Sequence, residues 1–317
     1  MFQLLKVRSF SDYISDVFQF LKLYGKHYFT NYLNFAFPAL LISMLAIIIF
    51  SIFSSQIFTA FISIIGLGRN FEIQNALLVF FSTMLLYIVA SYFITLSLSF
   101  PLYYMRLIRE NPNEKPQLQI IRSLFKKDLK RMLVFGLLSV TLNIIVSLFF
   151  LLVAFYLIGG LIGFLFAPVL FLLGLVLIIF LIILIQFLTI WYIITFFYYG
   201  NDHLSFFTAA KQAFKTFMRN FWKIIGINIC MMLIVSVSYR IITAIPFLIF
   251  DSFLGNTDIN YTILNSSISI TEKIIIVILF CVSFLVYLLL YHFILILNNL
   301  VYYSELEKLQ QKNNSPN

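Results

Sequence analysis

From Leu133 to Gly200 the chain runs for 68 residues without an Asp, Glu, Lys or Arg. A water-soluble domain has no place for such a stretch, whereas a membrane-spanning helix needs about 20 apolar residues. The run therefore holds two spans and a turn. Its clustered helix breakers are Gly159, Gly160, Gly163 and Pro168, which place the turn between spans expected over 133–157 and 169–198. In lipid each backbone polar group needs an internal partner, and a helix supplies one within a single segment. The rest of the chain agrees with this class. Only 10% of its residues are charged, against about 25% in a soluble domain.

Four further apolar segments are expected to span, over 33–53, 76–104, 222–238 and 274–303. Arg240 falls near the far interface, where a long side chain snorkels, and Ile241–Phe253 is expected to lie on the outer surface. Residues 1–303 thus read as one six-span domain, and 304–317 as a disordered cytoplasmic tail. Cys230 and Cys281 both sit within apolar runs and read as small buried hydrophobes.

The polar segments between spans have a pattern of their own. Ser205 to Ile225 reads SFFTAAKQAFKTFMRNFWKII. Phe207, Ala210, Phe214, Phe217 and Phe221 are three or four apart and predict one apolar helical face. Lys211, Lys215, Arg219 and Lys223 are four apart and predict a basic stripe beside it. Ser205 is the expected N-cap. Arg122, Lys126 and Lys130 make a second stripe, with Leu118, Ile121, Phe125, Leu129 and Met132 as its apolar side. Lys22 and Lys26 close a third amphipathic stretch that begins at Phe10. Such helices lie in the membrane interface.

Setting Lys22, Lys126 and Lys215 level also brings Lys26, Lys130 and Arg219 level, with Leu21, Phe125 and Phe214 coinciding on the apolar side. The expected fold is all-α: six transmembrane helices in three repeats, each a surface amphipathic helix followed by a transmembrane hairpin. Six spans put both ends of the chain on one side of the bilayer. That side collects eighteen of the 21 cations, leaving Arg69, Arg240 and Lys273 opposite, so both termini are expected in the cytoplasm.

The segment AFKTFMRNFWKII, Ala213 to Ile225, has an aromatic pair after its basic-polar step. It resembles the lead-in helices of the six-span membrane domain that precedes some bacterial glycerophosphodiester phosphodiesterases, and of its stand-alone relatives. The resemblance would cover nearly the whole chain. It implies a six-helix bundle and a bacterial cytoplasmic membrane. It carries no catalysis over, because the longest polar loop, Asp251–Lys273, is too short to be a soluble enzyme domain.

The chemistry-bearing residues are sparse. The three histidines, His27, His203 and His292, are scattered, and no HExxH, GxSxG or Walker pattern occurs. The acidic residues lie outside the expected spans, which leaves intramembrane acid–base chemistry without a carboxylate. No metal, cofactor or catalytic set is expected. A carrier usually holds an ionisable group at the midplane. His292 is the one such residue here, accompanied by the amides of Asn143, Gln186, Asn228, Asn298 and Asn299. Asn143 and His292 fall at a similar depth, roughly 15 Å in, and are the candidates for a midplane polar pocket. The competing use of these amides is to bond neighbouring helices. The reading favoured by the sequence is a non-catalytic scaffold, accessory or lipid-organising protein. Its basic stripes face anionic lipids, and a membrane protein partner is compatible with it. A transporter or lipid translocator is the alternative. Nucleic acid is not an expected partner, because the cations are needed at the membrane surface.

Overall fold

A computed structural model of the protein describes residues 2–64, 73–112, 114–138, 141, 145, 168–254 and 270–314. Among these residues the regular elements are all helices. They are α1 (Phe10–Ile64), α2 (Ile73–Glu110), α3 (118–138), α4 (Pro168–Asn201), α5 (Phe206–Arg219), α6 (Phe221–Leu254) and α7 (Ile270–Asn314). Three contain stretches long and apolar enough to cross a membrane: Ile183–Asn201, Phe221–Pro246 and Cys281–Lys312. The spans expected at 169–198, 222–238 and 274–303 fall on these same helices. The glycine turn and most of the 133–157 span lie outside the described residues.

Local chemistry explains where the helices begin and continue. At the start of α1 the Asp12 carboxylate accepts from the Ser9 N–H (2.9 Å), and the Asp12 N–H donates to Ser9 Oγ (3.4 Å). This reciprocal box satisfies two orphan donors of the first turn. Hydrogen bonds to the carboxylate from Ser9, its backbone N–H foremost and then its hydroxyl, hold the Asp12 carboxyl below its ordinary range. Ser205 is the N-cap of α5, accepting from the Thr208 N–H at 3.4 Å.

Three segments differ from the sequence expectation. The amphipathic lead-in and the apolar stretch after it form one unbroken helix in α1, despite Pro38. A helical proline strips the carbonyl four residues earlier of its donor. Here that carbonyl is Asn34, and Arg122 Nη2 of α3 donates to it at 2.8 Å. Second, Ile241–Phe253 does not form a separate surface segment but continues α6 to Leu254. Apolar side chains persist beyond Arg240, and Ile241, Ile242 and Ile245 remain exposed, as lipid-facing residues would. Third, residues 304–314 are not a disordered tail but extend α7 to Asn314. Ser304 and Glu305 are buried there, and Gln311 Nε2 donates to Glu307 one turn back (3.0 Å).

The core is concentrated at one end of the bundle. Residues 95–105 of α2, 193–200 of α4 and 294–305 of α7 are buried on every face, so these segments lie at the centre. Tyr28 of α1 packs edge-on against Phe100 (5.1 Å between ring centroids) and Tyr104 (4.9 Å) of α2. Away from this end the large apolar side chains turn outward, as Phe81, Ile88 and Leu233 do.

Candidate lipid-facing surface and buried polar core

The basic residues of α5 do not lie beside a single apolar face. Ala209, Ala210, Ala213, Thr216 and Phe217 are buried, and Trp191 Nε1 of α4 donates to the Ala210 carbonyl at 2.9 Å. Phe217 meets the Phe187 ring of α4 edge-on at 4.7 Å. Phe207 and Phe214, expected on the same face as Phe217, point away instead and are 83% and 46% exposed. The helix therefore has three faces: small residues and Phe217 against the protein, exposed aromatics, and Lys211 and Lys215 next to those aromatics. Trp222, at the start of α6, is 82% exposed.

The remaining predicted cations divide into two kinds. Lys22, Lys26, Lys126 and Lys130 are exposed. Arg122, Arg219 and Lys223 are engaged with the protein. Arg122 serves the Pro38 gap. Arg219 pairs with Glu305 of α7, whose buried carboxylate also receives Lys308 Nζ (2.6 Å) and Asn220 Nδ2 (3.1 Å). Lys223 donates to the Arg8 carbonyl and lies over the Tyr13 ring at 5.0 Å. The aligned positions Leu21, Phe125 and Phe214 differ as well: Phe125 is buried and Phe214 exposed.

Two arginines outside the predicted set hold the fold together. Arg8 is fully buried and bonds Asp16 at 2.8 Å, while donating to the carbonyls of Gln3 (2.7 Å) and Leu4 (2.9 Å). Arg131 donates to the Tyr199 carbonyl at the end of α4 (2.7 Å) and lies over the Tyr199 ring at 4.2 Å. It also meets His203 Nδ1 at 3.0 Å. A guanidinium can only donate, so that nitrogen is the acceptor. His203 has a left-handed backbone (φ 49), and Arg131 fixes this strained turn between α4 and α5.

His292 sits in the core. Its Nδ1 shares a 2.7 Å hydrogen bond with Tyr28 OH, and Tyr32 lies 3.9 Å away, centroid to centroid. Its Nε2 is buried with no hydrogen-bond partner among the described residues. Asn143, its expected companion, lies outside the described residues. Asn228 of α6 and Asn298 of α7 bond each other through two amide contacts of 2.8 and 3.3 Å. Asn299 donates to the Pro101 carbonyl at 3.1 Å. His27, near the start of α1, meets Tyr104 OH at 2.8 Å. Burial and the charge of Lys115 draw its pKa down.

Among the described residues these features define an all-α structure with three helices long and apolar enough to cross a membrane, and with an exposed cationic and aromatic surface on α5. No known protein family, curated protein or solved structure matches the chain.

Proposed function

We propose that the chain is a non-catalytic integral membrane protein that organises lipid at the cytoplasmic face of a bacterial membrane. In this reading it has six spans in three repeated units, with both termini cytoplasmic. The observation that carries it is the three-faced α5, where Phe207 and Phe214 are exposed on the same turns as Lys211 and Lys215 while the opposite face is packed on α4. Aromatic side chains suit the headgroup level. Each cation near an anionic leaflet adds about 1 kcal/mol of attraction, so this pair supplies about 2 kcal/mol. The likeness of Ala213–Ile225 to the lead-in helices of bacterial six-span domains supports the membrane and the architecture. A partner membrane protein seated on the same surface fits the scaffold form of the proposal.

A spin label at Thr208, in a Cys230→Ala, Cys281→Ala background, tests this reading in nanodiscs of anionic and neutral lipid. The label is expected deeper in the anionic discs, and Lys211→Gln with Lys215→Gln is expected to erase the difference. Arg219 is left intact because it pairs with Glu305. A native label depth independent of lipid charge overturns the proposal and makes α5 a structural brace. The unpartnered Nε2 of His292 favours the alternative of a transporter or lipid translocator. That alternative predicts that His292→Phe abolishes movement of substrate or lipid while folded protein persists.

A further inference from the structure

Four helices surround a cavity of about 500 Å³. Phe93 of α2, Gln186, Trp191 and Tyr192 of α4, Met232 of α6 and Tyr291 of α7 stand on its wall, and no described residue lining it is charged. Gln186 and Tyr192 precede the end of α4 by 15 and 9 residues. At 1.5 Å per residue they lie roughly 22 and 14 Å along the helix from that end, at hydrocarbon depth for a span about 30 Å thick.

Both residues carry a buried polar atom without a hydrogen-bond partner among the described residues, Gln186 Oε1 and Tyr192 OH. Gln186 Nε2 is occupied by the thioether sulfur of Met232 at 2.7 Å. Polar atoms left bare at this depth are strongly unfavourable, because lipid offers them no hydrogen bond. Water is a poor remedy, because a buried water wants two to four polar partners and this wall is mainly aromatic and aliphatic. A charged headgroup is worse still, since no countercharge faces the cavity.

We infer that the cavity binds a neutral long-chain alcohol, a lipid whose hydroxyl meets Gln186 while its chain fills the apolar remainder. A hydroxyl both donates and accepts. It therefore serves Gln186 Oε1, and serves equally if the Gln186 carboxamide is turned end for end. A diacylglycerol and a polyprenol share this chemistry. The inference does not depend on the charge of α5 and stands or falls apart from it.

The chain has two tryptophans, Trp191 on the cavity wall and the exposed Trp222. Trp222→Phe therefore leaves a single reporter at the site, its indole anchored on Ala210. The full-length protein, in nanodiscs of neutral phosphatidylcholine, is titrated with octadecanol dibrominated at mid-chain, a contact quencher of indole. Saturable quenching is expected, with a half-point about fivefold below that of the methyl ether of the same alcohol. Gln186→Leu should raise the alcohol's half-point about tenfold, the loss of about one hydrogen bond. Unbrominated diacylglycerol and polyprenol compete in separate arms, and whichever restores fluorescence at the lower mole fraction identifies the source. Equal, unsaturating quenching by the alcohol and its ether overturns the inference, since Trp191 would then be sensing bulk lipid. That comparison uses the native wall and holds even if Gln186→Leu misfolds.

Discussion

The Asn228–Asn298 pair permits a quantitative test of what holds α6 against α7. Both residues are fully buried, and each Nδ2 also donates to the carbonyl four residues earlier in its own helix, Ile224 and Ile294, at 2.9 Å. Truncating either one removes both inter-helix bonds but leaves the other amide its local bond. Side-chain hydrogen bonds between membrane helices average about 0.6 kcal/mol, so two amount to about 1.2 kcal/mol. The stranded amide, deprived of one donor partner and one acceptor partner, raises each single loss to about 1.5–3 kcal/mol. The double variant removes the two bonds once, not twice. Unfolding of Asn228→Ala, Asn298→Ala and the double variant in mixed micelles, with rising fractions of denaturing detergent, should give a coupling of about 2 kcal/mol or more, because the single losses sum to at least about 3 kcal/mol and the double loses about 1.2 kcal/mol. Independent sites add to within about 0.3–0.5 kcal/mol. A coupling inside that margin would refute the argument that the two amides act as one contact.

Arg122→Met should cost about 1 kcal/mol of stability in a thermal melt, because the Asn34 carbonyl loses its donor. In a Pro38→Ala background the helix supplies its own N–H, and the same substitution should then cost little; equal cost in both backgrounds would discard the Pro38 account. The lowered pKa of Asp12 means that its contribution is present above the unfolded carboxyl value of about 3.9 and is lost as pH falls through the folded value. Hydrogen exchange at the start of α1 should therefore accelerate below about pH 4, and Asp12→Asn should remove that dependence.

The helical class was legible because an uncharged run of 68 residues leaves the backbone few ways to satisfy itself in lipid. The N-cap at Ser205 was legible because capping is a local effect. The faces of α5 were not. Periodicity separates apolar from polar, but it does not say which apolar side chains pack on the protein and which stay exposed. The available clue was size: Ala209 and Ala213, four apart, allow the close approach to α4, whereas Phe207 is too bulky for it. Ser9 and Asp12 also stood in the capping-box spacing that marks where α1 begins. The distinction between Lys211, exposed, and Arg219, bound to Glu305, depends on a partner 86 positions further along and has no local signature. The same holds for His292, whose neighbours Tyr28 and Tyr32 come from the opposite end of the chain.

That last distance also bears on how the protein is made. Tyr28 waits for His292, 264 residues later, and the Arg8 N–H waits for Ser304 Oγ, 296 residues later. At 5–20 residues per second, the ribosome takes roughly 15–60 s to supply these partners. During that interval α1 and α2 already face each other through Tyr28, Phe100 and Tyr104, but the side reserved for α7 stays open. Until its last helix arrives, the tyrosine-rich side of α1 and α2 that α7 covers in the finished fold lacks its protein cover.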